Sequence, residues 1–344
     1  MSDPSTSEPP ISVCVVGAGG WGKNHVRNFA LLPGARLAYV CDRSEAVRAT
    51  IAAAYPETRA VAGLDQALAD TELRAVVVAT DAPSHFEVAQ AALRAGKDVF
   101  VEKPLTLDPE ESVELVRLAN TEGRILMVGH LLLYHPAVDL LKGIVDSGEL
   151  GDILYITTQR LNLGVVRSTE NAWWSLAPHD ISVANYLLDA APVAVSASGG
   201  TYLQKERGIE DVVFASLHYP GDRVAHIHVS WLDPHKTRRM TVVGSKKMAV
   251  FDDASPDQKV VIFDKGVEPP RTATYEEGVR IRTGDILVPA LRMQEPLRRE
   301  CEAFLMAVRS RRAPLASGES GEAVVRALHA GTRSLQAEGK RVAV

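Results

Sequence analysis

Short apolar runs recur along the chain from residue 11 onward, and between them apolar positions repeat every three or four residues. The first pattern is that of strands covered on both faces, and the second that of helices with one buried stripe. Residues 11–16, 36–41, 75–79, 98–101 and 125–128 are the strand positions, each rich in Val, Ile or Leu. The helices between them carry end signals. Asp108, Pro109 and Glu111 supply an N-cap, a first-turn proline and a capping-box glutamate ahead of Val113, Val116 and Ala119, and Gly123 stops that helix. His85, Val88, Ala89 and Ala92 mark one face of another, closed by Gly96. Alternation of strand and helix predicts a parallel sheet wound by right-handed crossovers.

Past residue 131 the pattern changes to longer alternating segments at 153–162, 211–218, 224–231 and 239–243, with turns at Gly221 and at Gly244-Ser245. Alternation with short turns predicts a mostly antiparallel sheet. Two helices, near 296–310 and 319–338, finish the chain. The expected fold class is α/β: an N-terminal doubly wound parallel sheet, then an α+β domain with a large, mostly antiparallel open sheet. The expected organisation is a flexible Ser/Pro/Glu-rich tail at 1–10, a first domain over 11–130 and a second over 131–344.

Length supports two domains, since 344 residues exceed what one core organises. Apolar residues at 46% and charged residues at 24% exclude disordered, fibrous and membrane-embedded classes. The net charge of -5 argues against a general nucleic-acid binder, and Lys236, Arg238, Arg239, Lys246 and Lys247 read as a solvated hairpin. No metal is expected: Cys14, Cys41 and Cys301 lack ligand spacing, and His226 and His228 share a strand face without a third ligand. The first ten residues lack the basic and apolar regions of a secretion signal, and no apolar run approaches the ~18 residues that span a bilayer. A cytoplasmic protein without a membrane partner is the expectation.

Candidate chemistry begins at Gly17, Gly19 and Gly22, a G-x-G-x-x-G directly after a strand and at the start of a helix. The first glycine permits the tight turn, the second lets backbone approach a pyrophosphate, and the third lets helix pack on strand, with the helix N-terminus facing the negative charge. Asp42 ends the next strand, 20 residues after Gly22, where a carboxylate accepts hydrogen bonds from the adenosine ribose. This is the dinucleotide site of a Rossmann domain. Asp42 would repel a ribose 2'-phosphate, which favours NAD over NADP, although Arg43 beside it could reach such a phosphate. Glu102-Lys103-Pro104 then follows a strand at the C-terminal edge of the sheet, where doubly wound folds bind ligands. A partly desolvated lysine there could exchange a proton with a substrate hydroxyl, and a solvated loop lysine is the alternative.

Gly17-Ala18-Gly19-Gly20-Trp21-Gly22, Glu102-Lys103-Pro104, His179-Asp180-Ile181 opening a helix, Pro314-Leu315 and Gly318-Glu319 together resemble the Gfo/Idh/MocA family of oxidoreductases over nearly the whole chain. The resemblance implies catalysis by Lys103 and by His179 as acid or base. Many members have an aspartate four residues before that histidine, where this chain has Ser175. The cofactor set it implies is Gly17, Gly19, Gly20, Trp21, Gly22, Asp42, Arg43, Thr80, Pro83, His85, Glu102 and Lys103.

Within the family the chain is most similar to members acting on nucleotide-linked sugars, the UDP-N-acetylhexosamine or hexosaminuronate 3-dehydrogenases and sugar 3-ketoreductases. Trp21-Gly22, Arg27-Asn28 and the run from Arg160 to Trp174 carry this likeness. In that run Arg160 and Arg167 suit phosphate, Asn162 and Asn171 suit sugar hydroxyls, and Trp174 offers a flat face, with His179 beside the substrate. Solvated arginines and a core tryptophan are an equal alternative. The implied reaction is hydride transfer between NAD and a sugar ring carbon, C3 foremost, by a homodimer or homotetramer. A free-sugar or cyclitol dehydrogenase, an NAD-dependent glycoside hydrolase with transient oxidation, and a sensor without turnover are the other readings.

Overall fold

The computed structural model describes residues 9–268 and 280–344; residues 1–8 of the expected tail lie outside the described residues. The chain divides into two compact units, one comprising residues up to Tyr134 together with 294–325, the other 135–293 together with 326–344.

The first unit holds a six-stranded parallel sheet in the order β3-β2-β1-β4-β5-β6, with β1 Ile11–Val16, β2 Ala35–Cys41, β3 Arg59–Val61, β4 Ala75–Val78, β5 Asp98–Glu102 and β6 Leu126–Gly129. Every residue of β1 and β4 is buried, as expected of strands covered on both faces. The strand order reverses between β1 and β4, so right-handed crossovers put helices on both faces and open a crevice at the carboxyl ends of these two strands. Helices α1 (Gly22–Leu31), α2 (Glu45–Ala54), α3 (Leu64–Leu68) and α4 (His85–Arg94) connect β1 to β2, β2 to β3, β3 to β4 and β4 to β5 in turn. Helix α5 (Pro109–Thr121) begins where its signals place it: the Asp108 carboxylate accepts the Glu110 amide N–H at 2.7 Å, and Gly123 adopts φ 59° beyond its end.

Two features depart from the sequence expectation here. The sequence does not predict strand β3, because three residues are too few to leave a periodic trace. The contiguous boundary at 130 gives way to a discontinuous one, since α8 (Pro296–Ser310) packs against α1 and belongs to the first unit.

The second unit is built on a nine-stranded sheet, ordered β14-β13-β12-β11-β7-β10-β9-β8-β15. Its centre is β7 (Ile153–Leu161), parallel to β10 (Val224–Ser230) and antiparallel to β11 (Thr237–Gly244); β9 (Val212–His218) pairs antiparallel with β10. Strands β8 (Ala194–Gly200), β12 (Met248–Asp252), β13 (Val260–Glu268), β14 (Arg280–Leu287) and β15 (Val342–Ala343) extend it on either side. Helices α6 (Pro136–Asp146) and α7 (Ala172–Leu188) pack on the sheet. Residues in β9 and β10 alternate between buried and more exposed, leaving one open face that carries Phe214, His226 and His228. Among the described residues no helix is long and apolar enough to cross a membrane.

Candidate functional site

In the first unit the loop from Gly17 to Gly22 bridges β1 and α1 at the crevice. Gly17 has φ 84°, and a Cβ there would lie 2.8 Å from the Ala79 carbonyl oxygen at the end of β4. A Cβ on Gly22 would lie 1.8 Å from the Gly17 carbonyl oxygen, so the turn closes only with glycine. Gly19 and Gly20 face open space within 4 Å of their Cβ positions. Among the described residues no side chain caps α1 through a hydrogen bond, and the Lys23 and Asn24 amides bond to the Gly19 and Trp21 carbonyls at 3.3 and 2.9 Å, so the anion-facing end is the open glycine loop with the positive end of the helix behind it. Two closed positions with two open ones between them fit a dinucleotide pyrophosphate.

Asp42 stands just beyond β2 and does local work as well. Its Oδ2 accepts the Ala18 amide at 2.9 Å and its Oδ1 the Ser44 amide at 2.8 Å, fixing the glycine loop to the start of the next helix. Each carboxylate oxygen retains a second lone pair for a ribose hydroxyl. Arg43 is exposed beside it. Thr80, which accepts the Ser84 hydroxyl at 2.8 Å, and Pro83 lie after β4. His85 is buried, with Nδ1 2.7 Å from the Pro104 carbonyl oxygen and Nε2 3.0 Å from that of Thr80. Burial pushes this imidazole below its ordinary pKa despite both carbonyls. The structure thus makes His85 a brace between the strand ends.

Glu102 ends β5, and Lys103 follows it half-buried before a cis Pro104. The Glu102 carboxylate accepts the Trp21 indole N–H at 2.6 Å and the Lys103 amide at 3.2 Å, and lies 2.6 Å from His25 Nε2. Burial pushes the Glu102 carboxyl up, but the hydrogen bonds and charges of His25, Trp21 and Lys103 outweigh it and hold it below the carboxylate range. Behind it sits Glu300 on α8, fully buried and pushed well above its ordinary pKa by desolvation and by Glu102. His25 and Glu300 were not foreseen. Nothing local marks a histidine on a helix as the partner of a carboxylate 77 positions away.

Arg27 and Asn28, which carried part of the nucleotide-sugar likeness, turn to Glu295 within the same unit.

In the second unit, His179 was expected to open a helix; instead α7 begins at Ala172, and His179 lies in its interior directly after Pro178. The cap is Asn171, whose Oδ1 accepts the Trp174 amide at 3.1 Å while its Nδ2 donates to Glu210 at 2.8 Å. Asp180 is likewise no first-turn acid: Arg160 on β7 donates Nε to its Oδ2 at 2.7 Å and a second N–H to Oδ1 at 3.2 Å. That bidentate pair, at 11% and 5% side-chain exposure, joins β7 to α7 immediately beside His179. Arg160 is therefore committed to Asp180. Trp174 donates its indole N–H to Thr332 Oγ1 at 2.9 Å and is half-buried. Asn162 and Arg167 remain exposed on the segment after β7, Arg167 sharing its guanidinium with Glu170 at 2.9 Å. Ser175, one turn before His179, is buried. Among the described residues no group of three or more His, Cys, Asp or Glu side chains could hold a metal ion.

Comparison with known proteins agrees with the glycine loop and the two-part fold. Residues 11–130 match the model of an oxidoreductase family with an NAD-binding Rossmann fold, and residues 138–250 match the Gfo/Idh/MocA C-terminal domain. The chain belongs to the Gfo/Idh/MocA family and is an NAD(P)-dependent oxidoreductase acting on a CH–OH group. It is 28% identical to a UDP-N-acetylglucosamine 3-dehydrogenase from Acidithiobacillus ferrooxidans over 91% of this chain and 93% of that protein. The solved structure of that enzyme superposes with a TM-score of 0.80 at 27% identity, covering 96% of this chain and 99% of the other. An inositol 2-dehydrogenase from Rhizobium meliloti is 26% identical over 96% of this chain and 98% of its own.

Proposed function

We propose that this protein uses NAD to oxidise a ring hydroxyl of a nucleotide-linked sugar, or to reduce the corresponding ketone, with C3 as the reacting carbon. The carrying observation is the likeness to a UDP-N-acetylglucosamine 3-dehydrogenase along nine-tenths of both chains. The glycine loop and the α1 N-terminus hold the pyrophosphate, and Asp42, with both oxygens turned to backbone amides, presents its remaining lone pairs to an unphosphorylated ribose. Bound nicotinamide supplies the hydride acceptor or donor. Lys103 exchanges the hydroxyl proton, and His179 serves as a second acid or base at the substrate, its helix set by the Arg160–Asp180 pair. Arg167 is the arginine of the 160–174 run still exposed enough to meet a diphosphate. Trp174, Asn162 and Asn171 line the sugar.

A cyclitol substrate is the second reading, favoured by the inositol dehydrogenase of similar identity and coverage. The protein works as a homodimer or homotetramer in the cytoplasm; the open sheet face supports the first, and three free buried cysteines suit a reducing compartment.

The test is a screen of UDP-sugars, free sugars and inositols for NADH formation by the purified protein, followed by Lys103→Met and Arg167→Ala. Lys103→Met should bind NAD and lose turnover by about two orders of magnitude or more. Arg167→Ala should raise KM for the UDP-sugar far more than for the free sugar. Equal efficiency on free sugars, or no calorimetric binding of any nucleotide sugar, overturns the nucleotide-linked assignment.

A further inference from the structure

The first unit contains a polar group, buried on its His25 side, that links two separate segments. At its centre is Glu102. One carboxylate oxygen faces both the Trp21 indole N–H and His25 Nε2 at 2.6 Å, and the other accepts the Lys103 amide at 3.2 Å. Space is reserved for it: Glu102 pairs with Gly129 across β5 and β6, and a Cβ on Gly129 would lie 2.9 Å from Glu102 Oε2 and 3.1 Å from its Cα. His25 is fully buried on α1, its other nitrogen 3.9 Å from Cys301 Sγ of α8.

We infer that Trp21, His25 and Glu102 form a latch joining the pyrophosphate loop to the turn that carries Lys103, so that Trp21, His25 and Glu102 act as positioning residues for proton transfer. The inference rests on the reading of Lys103 as the proton carrier. Trp21 is the residue preceding Gly22 at the tip of α1, and Lys103 is the residue following Glu102, so one carboxylate fixes both segments. A hydrogen bond to an ionised acceptor is stronger than a neutral one, and on the His25 side burial keeps water from replacing it.

The latch is anionic at one carboxyl. Glu102 faces His25 and Trp21 from α1, Lys103 from its own segment, Glu300 and Cys301 from α8, His130 after β6, and His85 from α4. Burial first, and then the Glu102 charge beside it, pushes the Glu300 carboxyl well above its ordinary range and so favours its neutral form. The negative charge therefore stays on Glu102, beside Lys103.

The test uses the full chain and needs no substrate. Competitive acetylation with acetic anhydride, read at Lys103 by mass spectrometry against exposed Lys23 as internal reference, follows Lys103 directly across pH. Trp21→Phe removes the indole N–H at a half-exposed position and tests the latch even where Glu102→Gln fails to fold. Each variant should acetylate Lys103 about fivefold faster than wild type, the scale of one lost hydrogen bond of about 1 kcal/mol. In Glu102→Gln the midpoint of the labelling profile should also move to lower pH, since the carboxylate no longer favours the ammonium. The double variant should match Glu102→Gln alone. Unchanged Lys103 labelling in Trp21→Phe, or accelerations that multiply in the double variant, overturns the latch. Failure of wild type to bind NADH would count against the proposed function; normal NADH binding with unchanged Lys103 labelling in Trp21→Phe counts against the latch alone.

Discussion

Lowering pH should destabilise the protein through one buried histidine. His130 follows β6, is fully buried, and among the described residues neither of its ring nitrogens has a hydrogen-bond partner. Burial, with a smaller opposing pull from Glu102 and a push from Lys103, carries its pKa down from 6.5 to about 4. Folding therefore requires the neutral ring, and the unfolded chain binds the extra proton between these two values. The neutral-ring advantage is fully present above pH 6.5 and is lost as pH falls toward 4. Between pH 7.5 and pH 5 the loss is about 2 kcal/mol, a tenfold change in proton affinity being worth about 1.4 kcal/mol. His130→Leu removes the titrating group and the unbonded nitrogens while keeping an apolar occupant. Urea unfolding at the two pH values should show wild type losing about 2 kcal/mol more than the variant, a difference of roughly 4–8 °C in Tm for a unit of this size. His85 titrates in the same sense but is common to both proteins, so the comparison isolates His130. Equal pH sensitivity in the two proteins would refute the reasoning.

Arg160→Ala leaves Asp180 buried without its guanidinium, which should cost about 3–5 kcal/mol, and adding Asp180→Ala should restore part of it; calorimetric unfolding of both variants decides this. Gly22→Ala places a Cβ 1.8 Å from a backbone oxygen, so NADH binding should be lost, and retained affinity in a fluorescence titration would show that the loop can rearrange. Asp42→Ala should raise use of NADP relative to NAD in steady-state kinetics; because Asp42 also holds the Ala18 and Ser44 amides, affinity for both cofactors should fall.

What the sequence determined by itself is whatever depends on neighbours in the chain. The glycine loop, the Asp108 cap, the glycine stop at 123 and the whole of α8 follow from local sterics and hydrogen bonding, and each stands where those rules put it. The parallel order of the first sheet follows as well, because alternating strands and helices leave few topologies. Helix α7 was misplaced for a physical reason: it is buried nearly all round, so its apolar positions carry no 3.6-residue period, and Pro178 inside it suggests a beginning. Strand β14 escaped notice because its side chains are largely exposed and mix charge with apolar groups. Only the tertiary structure decided the pairings. For Arg160 the sequence left substrate phosphate and a solvated loop as equal readings, and the structure gives it instead to the buried Asp180 carboxylate 20 residues away. Glu102, His25 and Glu300 come from three separate elements, and which carboxyl keeps its proton depends on burial and on the charge beside it, quantities that exist only once the chain has folded.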